Sequence, residues 1–107
     1  MPFVRVTISK LIPGSAEVTD ELLRLAHEEI APLLQERPGF ISYQLVKFGP
    51  EAVGAISTWK AREEAEESAV IAANWLRDNL PRDQVVSFDT LIGEIVHSNV
   101  SRGAALA

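Results

Sequence analysis

The chain has no cysteine. That excludes a disulfide scaffold, a thiolate metal site and a cysteine nucleophile, and it leaves the redox compartment open. Histidine is nearly as scarce: His27 and His97 are the whole supply, and no His-x-x-x-His spacing brings them together as metal ligands. There is no glycine-rich phosphate loop, nucleophile elbow or Walker pattern. Basic residues are outnumbered, 10 Lys and Arg against 15 Asp and Glu, for a net charge of −5 and a pI of about 4.9. An acidic chain without a basic run is a poor partner for nucleic acid or an anionic membrane. No apolar run approaches the roughly 20 residues of a membrane span, and Met-Pro-Phe-Val-Arg lacks the pattern of a signal peptide. The expectation is a cytoplasmic protein with no cofactor and no metal.

What is present is a single domain's worth of alternating patterns. The 107 residues are 47% hydrophobic, which suits one folded domain rather than a disordered chain. The organising stretch runs from Arg37 to Ala65. Pro38-Gly39 reads as a turn, Phe40 to Phe48 as a strand, Phe48-Gly49-Pro50-Glu51 as a second turn, and Ala52 to Trp59 as a strand of small residues. Lys60 to Ala65 then switches to helix formers, with acids in the first turn where the helix dipole favours them. Upstream, Phe3 to Lys10 alternates with a period of two. Val4, Val6 and Ile8 form the face expected on a core, and Arg5, Thr7 and Ser9 form the other. Ser15 is expected as the N-cap of a helix in which Val18, Leu22, Leu25, Ala26, Leu33 and Leu34 recur at helical spacing. Pro32 is expected to kink or divide that helix near Ala31. A second helix is expected over Arg62 to Asn79, closed by Pro81, with an alanine-rich stripe. The last strand is expected over Gln84 to His97, with Gly93 as a bulge site. Residues 98–107, without any period, read as a flexible tail to a 1–97 domain.

The order is βαββαβ, a ferredoxin-like α+β arrangement: a four-stranded antiparallel sheet with two helices on one face. Both faces of such strands are apolar. The helices cover one, and a two-fold homodimer with sheets facing each other covers the second.

The Pro38-Gly39-Phe40 turn, a hairpin ending in Thr58-Trp59-Lys60, and Arg62-Glu63-Glu64-Ala65 together resemble the antibiotic-biosynthesis monooxygenase-like (ABM) domains of the dimeric α+β barrel superfamily. The resemblance spans about Phe3 to Val96. It implies a dimeric barrel and, among activities, cofactor-independent oxygenation of a phenol- or quinol-like substrate. It also implies that Trp59, at the end of the third strand, lines the pocket. Heme-degrading relatives pair such a tryptophan with an asparagine on the first strand and a histidine on the second helix. Here Thr7 lies near the first position and the second helix has no histidine, which argues against heme degradation. The histidines of the superfamily's polyketide cyclases are missing too.

The expected pocket lies between sheet and helices. His27, Tyr43 and Trp59 are the candidate catalytic residues. His27 or Tyr43 would serve as base or hydrogen-bond partner and Trp59 would stack on the substrate. Thr7, Trp59, Asn74, Trp75 and Phe88 are the candidate substrate-binding residues. Each has a plainer reading: an exposed helix histidine, an interface tyrosine, core or seam tryptophans. Arg5 and Asp89, charges in apolar strands, read as residues facing solvent on an edge, as an ion pair between strands or as a polar anchor at the pocket mouth. The alternative function is a non-enzymatic dimeric module that binds a small ligand or serves in assembly.

Overall fold

A computed structural model describes residues 1–80 and 82–99. The expected closing role of Pro81 and most of the expected tail lie outside them. Strand β1 (Phe3–Leu11) leads into helix α1 (Ala16–Leu25), a π-helical turn (Ala26–Ile30) and helix α2 (Ala31–Gln35). The hairpin β2 (Phe40–Gly49) and β3 (Ala52–Trp59) follows, then helix α3 (Arg62–Asn79), a short 3₁₀ turn (Arg82–Gln84) and β4 (Val85–Glu94). The sheet order is β2-β3-β1-β4 with every neighbouring pair antiparallel, the ferredoxin-like α+β arrangement. Among the described residues no helix is long and apolar enough to cross a membrane.

The break before Pro32 takes a specific form. Proline lacks an N–H and crowds the preceding turn. The chain responds with a wider π turn ending at Ile30, after which α2 starts at Ala31. Ala26 and Ile30 of that turn are buried, and His27, Glu28 and Glu29 face outward. Ser15 does precede α1, but its hydroxyl donates to the Ile12 carbonyl (2.5 Å) instead of accepting from the first turn. The irregularity of β4 is opposite Lys10 and Leu11, whose partners are Ser87 and Val85. Gly93 pairs regularly with Val4, so the expected bulge there is absent, and the strand stops at Glu94, short of His97.

The Pro38-Gly39 turn and the start of α3 meet in space. Gly39 has φ +80°, and a Cβ there would fall 1.8 Å from the Glu64 carboxylate. Glu64 in turn accepts from the Ala61 N–H at 3.0 Å, satisfying one of the free amides at the start of the helix. The Lys60 N–H donates to the Gly39 carbonyl at 2.9 Å. Arg37 and Glu67 form an ion pair across the same junction.

The two faces of β1 lie opposite to the expectation. Arg5, Thr7, Ser9 and Leu11 are buried beneath the helices, whereas Val4, Val6 and Ile8 are half-exposed on the outer face. Register carries this assignment across the sheet, since directly paired residues share a face. Val6 pairs with Ile56 and Leu91; Arg5 pairs with Ser57 and Ile92. Residue Ile41 interrupts the β2–β3 register, so Phe40 lies opposite Trp59 and Tyr43 opposite Ser57. Phe40 packs edge-on against Trp59, ring centroids 5.5 Å apart.

Candidate functional site

The covered face of the sheet carries a polar cluster at the centre of the molecule. Arg5 is 1% exposed. Its Nε donates to Ser57 Oγ (3.1 Å) and Ser68 Oγ (3.0 Å), and Nη1 donates to Thr7 Oγ1 (2.6 Å). Trp59, also 1% exposed, donates from Nε1 to the same Ser57 Oγ at 2.8 Å. Ser68 hands its own proton to the Ala65 carbonyl (2.7 Å), which leaves its oxygen free to accept from Arg5. The elements explain the convergence: β1 and β3 bring Arg5 opposite Ser57, and the narrow alanine stripe of α3 lets Ser68 come down onto the sheet.

All of these acceptors are neutral. Among the described residues no carboxylate reaches Arg5, and its Nη2 is buried without a hydrogen-bond partner. The expected Arg5–Asp89 pair does not form: Asp89 lies opposite Ile8 on the outer face. Burial lowers the Arg5 pKa from its ordinary value, and Tyr43 partly offsets that. Burial also raises the Tyr43 pKa above its ordinary 10.0, the Arg5 charge working against the rise. Tyr43 is therefore a phenol at neutral pH, able to donate a hydrogen bond and poorly suited to act as a base.

Above this floor is a chamber of about 40 Å³. Arg5, Thr7 and Ser9 line it from β1, Tyr43 from β2, and Trp75 and Leu76 from α3. The π turn supplies Ala26 and Ile30, and its Glu29 accepts from Trp75 Nε1 at 2.9 Å, fixing that ring. A chamber of this size holds one or two waters. On the other side of Leu76 lies an open groove of about 240 Å³, lined by Ala73, Leu80, Val85, Phe88 and two arginines, Arg77 and Arg82. Leu76 lines both spaces.

Thr7, Tyr43 and Trp75 are thus brought together at the inner chamber. Phe88 belongs to the outer groove, on the same face of the sheet through its pairing with Ser9. Trp59 lines neither space; it shares the Ser57 hydroxyl with Arg5, which does line the chamber. His27 and Asn74 are exposed on outward helix faces and line neither space, and His97 is exposed beyond β4. In the sequence Ser57 reads only as one of the small residues of its strand, and Ser68 is one small polar residue in an alanine-rich helix. The signal for Arg5 was present: a charge on the same strand face as Thr7 and Ser9. Among the described residues no group of three His, Asp or Glu side chains is placed to hold a metal.

No protein-family model matches the chain, and no curated protein sequence does. Solved structures do. A protein of unknown function from Nitrosomonas europaea, NE2512, superposes with a TM-score of 0.71 at 18% identity, over 95% of this chain and 96% of that one. A monooxygenase from the gene ActVA-Orf6 of Streptomyces coelicolor, in complex with nanaomycin D, gives 0.71 at 18% identity over 92% and 91%. SnoaB, a cofactor-independent oxygenase from Streptomyces nogalater, gives 0.60 at 14% identity over 91% and 95%. The chain has the ABM fold. At these identities the likeness speaks for the fold alone.

Proposed function

We propose that this ABM-fold chain is a cofactor-independent monooxygenase that acts, as a homodimer, on a small aromatic phenol or quinol. The observation that carries the reading is the two-part space around Leu76: a polar floor of Arg5, Thr7 and Tyr43 under an aromatic and aliphatic roof, and across Leu76 an apolar groove that contains Phe88. When Leu76 moves aside, the two spaces together approach the lower end of the volumes typical of small-molecule sites. An aromatic ring then fits the groove with its oxygen pointing to the floor. The substrate, once ionised, transfers an electron to dioxygen, and the product radicals combine. An anthrone methylene would become a carbonyl, with one oxygen atom entering the product and the second leaving as water. The protein's own contribution is to orient the ring, donate hydrogen bonds to the developing oxyanion and exclude water. The apolar outer face of the sheet supports pairing of two chains, as such a face is unusual on a monomer.

The second reading, a non-enzymatic ligand-binding or assembly module, is favoured by the small size of the chamber and by the position of His27 outside it. Oxygen consumption with a panel of hydroquinones and anthrones separates the two. The oxygenase reading expects turnover of at least one of them, unchanged in His27→Ala. It expects a loss of about tenfold in Trp59→Phe, which removes one hydrogen bond from the floor. Absence of uptake across the panel removes the oxygenase reading for those substrates and leaves the module.

A further inference from the structure

The floor of the chamber has a positive charge, a rigid mount and a spare donor. A buried ion without a counter-ion costs several kcal/mol in a folded protein. Arg5 is held in that state by three neutral hydroxyls, with Nη2 buried and unmatched. An unsatisfied buried polar atom in a native structure calls for a partner that arrives from elsewhere. The guanidinium fork fits an oxyanion, and Arg5, Thr7 and Tyr43 all line the same chamber. The outer groove repeats the sign, because Arg77 and Arg82 line it and no acidic residue does. Elsewhere Arg24 and Arg37 are paired with glutamates. In a chain with a net charge of −5, Arg5 and Arg82 lack a close carboxylate partner among the described residues, as does Arg62 outside both cavities, where it stacks on Phe3; Arg77 has only Asp78, at 3.6 Å.

We infer that the chamber is an oxyanion site: Arg5 receives the ionised oxygen of a phenol or enol, so that the substrate class is the anion and not the neutral arene. The inference rests on the oxygenase reading for the word substrate, but the anion site itself does not. It explains how a site with no histidine and with a protonated Tyr43 obtains an ionised ligand. A fixed positive charge at low dielectric lowers the pKa of the bound phenol, so bulk water can take the proton and no protein base is required. The Tyr43 hydroxyl and the Arg5 fork then act as donors to the same oxygen. About 40 Å³ is room for that oxygen end alone, and the ring extends toward Leu76 and Phe88.

The test uses 4-nitrophenol, whose phenolate absorbs in the visible, with the full-length wild-type protein. The expected result is that affinity rises with pH through the phenol's own ionisation, the phenolate binding at least about tenfold more tightly than the phenol, equivalent to a drop of one pKa unit on binding. The bound dye is therefore yellow at a pH where the free dye is colourless. 4-Nitroanisole, with the same ring and no acidic proton, binds without any pH dependence. Arg5→Met removes the shift and Arg5→Lys keeps part of it; if either fails to fold, the wild-type pH dependence decides the matter. Binding of the neutral phenol in preference, equal binding of the two forms, or no binding of either overturns the oxyanion site, even if hydroquinones still drive oxygen uptake. Phenolate capture without oxygen uptake on any substrate leaves the oxyanion site standing and removes the oxygenase reading.

Discussion

The two faces of one sheet differ in the opposite sense to the usual one. Beneath the helices, where apolar packing is the norm, β1 presents Arg5, Thr7 and Ser9, joined by Ser57 of β3. On the outer face, with no helix over it, the chain presents Val4, Val6, Ile8 and Ile56, and Leu91 is 71% exposed. The covered face holds the apolar core, with Leu11, Val53 and Trp59 among its strand residues, and the polar cluster is set into that core. On the proposed reading the polar cluster gains from its enclosure, because exclusion of water strengthens every charge–dipole contact. On the proposed reading a second copy of the chain covers the apolar side. The comparison can be broken on either side.

The largest effect is expected on the outer face. Val6 is central there, flanked by Ile56 and Leu91. In a two-fold pairing of sheets Val6→Lys would place two like charges near the axis, and such juxtaposition costs several kcal/mol. Sedimentation should show wild type at twice 11.7 kDa and the variant at that mass itself, with helical content unchanged. A wild type that runs as a monomer at micromolar concentration would leave the outer face unexplained.

A smaller effect probes the layer between the faces. Gly54 pairs with Ile8, and a Cβ there would come 2.7 Å from the Phe48 ring on the outer side and 2.9 Å from the Thr7 carbonyl oxygen. The ring can turn away, but the carbonyl belongs to the ladder. Gly54→Ala should cost about 1–3 kcal/mol by overpacking, read as a lower thermal midpoint. Adding Phe48→Ala should recover only part of the loss. Full recovery would mean that the backbone contact is free to relax.

Much of the fold was legible from local chemistry. The helix Arg62–Asn79 and the hairpin follow from periodicity and turn residues, and the division near Ala31 follows from Pro32. The Pro-Gly turn and the Glu-Glu-Ala junction, recognised as separate motifs, are one contact, since Gly39 leaves the space that the Glu64 carboxylate occupies. What was not legible depended on register and on facing. Alternation shows that Val4 and Arg5 lie on opposite sides but not which side the helices take. A one-residue irregularity at Ile41 moves Tyr43 from opposite Ile56, on the outer face, to opposite Ser57, on the covered one, and no composition rule locates it. His27 could be placed at the edge of an amphipathic helix's apolar stripe, and it is exposed within the π turn. Ser68 matters only because α3 approaches β1 closely enough to bond Arg5.

The smallest effect concerns the enclosed face, and the sequence supplies its probe: Tyr43 is the single tyrosine, so the tyrosinate absorption band reports one group. Burial raises its pKa above 10.0 and Arg5 holds the rise in check. The folded pKa is thus above the unfolded one. The stability linked to Tyr43 is fully present below pH 10 and is lost as the pH climbs through the folded value. Spectrophotometric titration of the native protein should give a midpoint above 10.0 that returns to it in denaturant. Arg5→Met should push the native midpoint higher still, because the opposing charge is gone, and Tyr43→Phe should lose less stability than wild type across the same alkaline range. A native midpoint at or below 10.0 would mean that the phenol is hydrated or ion-paired, and the enclosed face would then be a wet surface and not a site prepared for an anion.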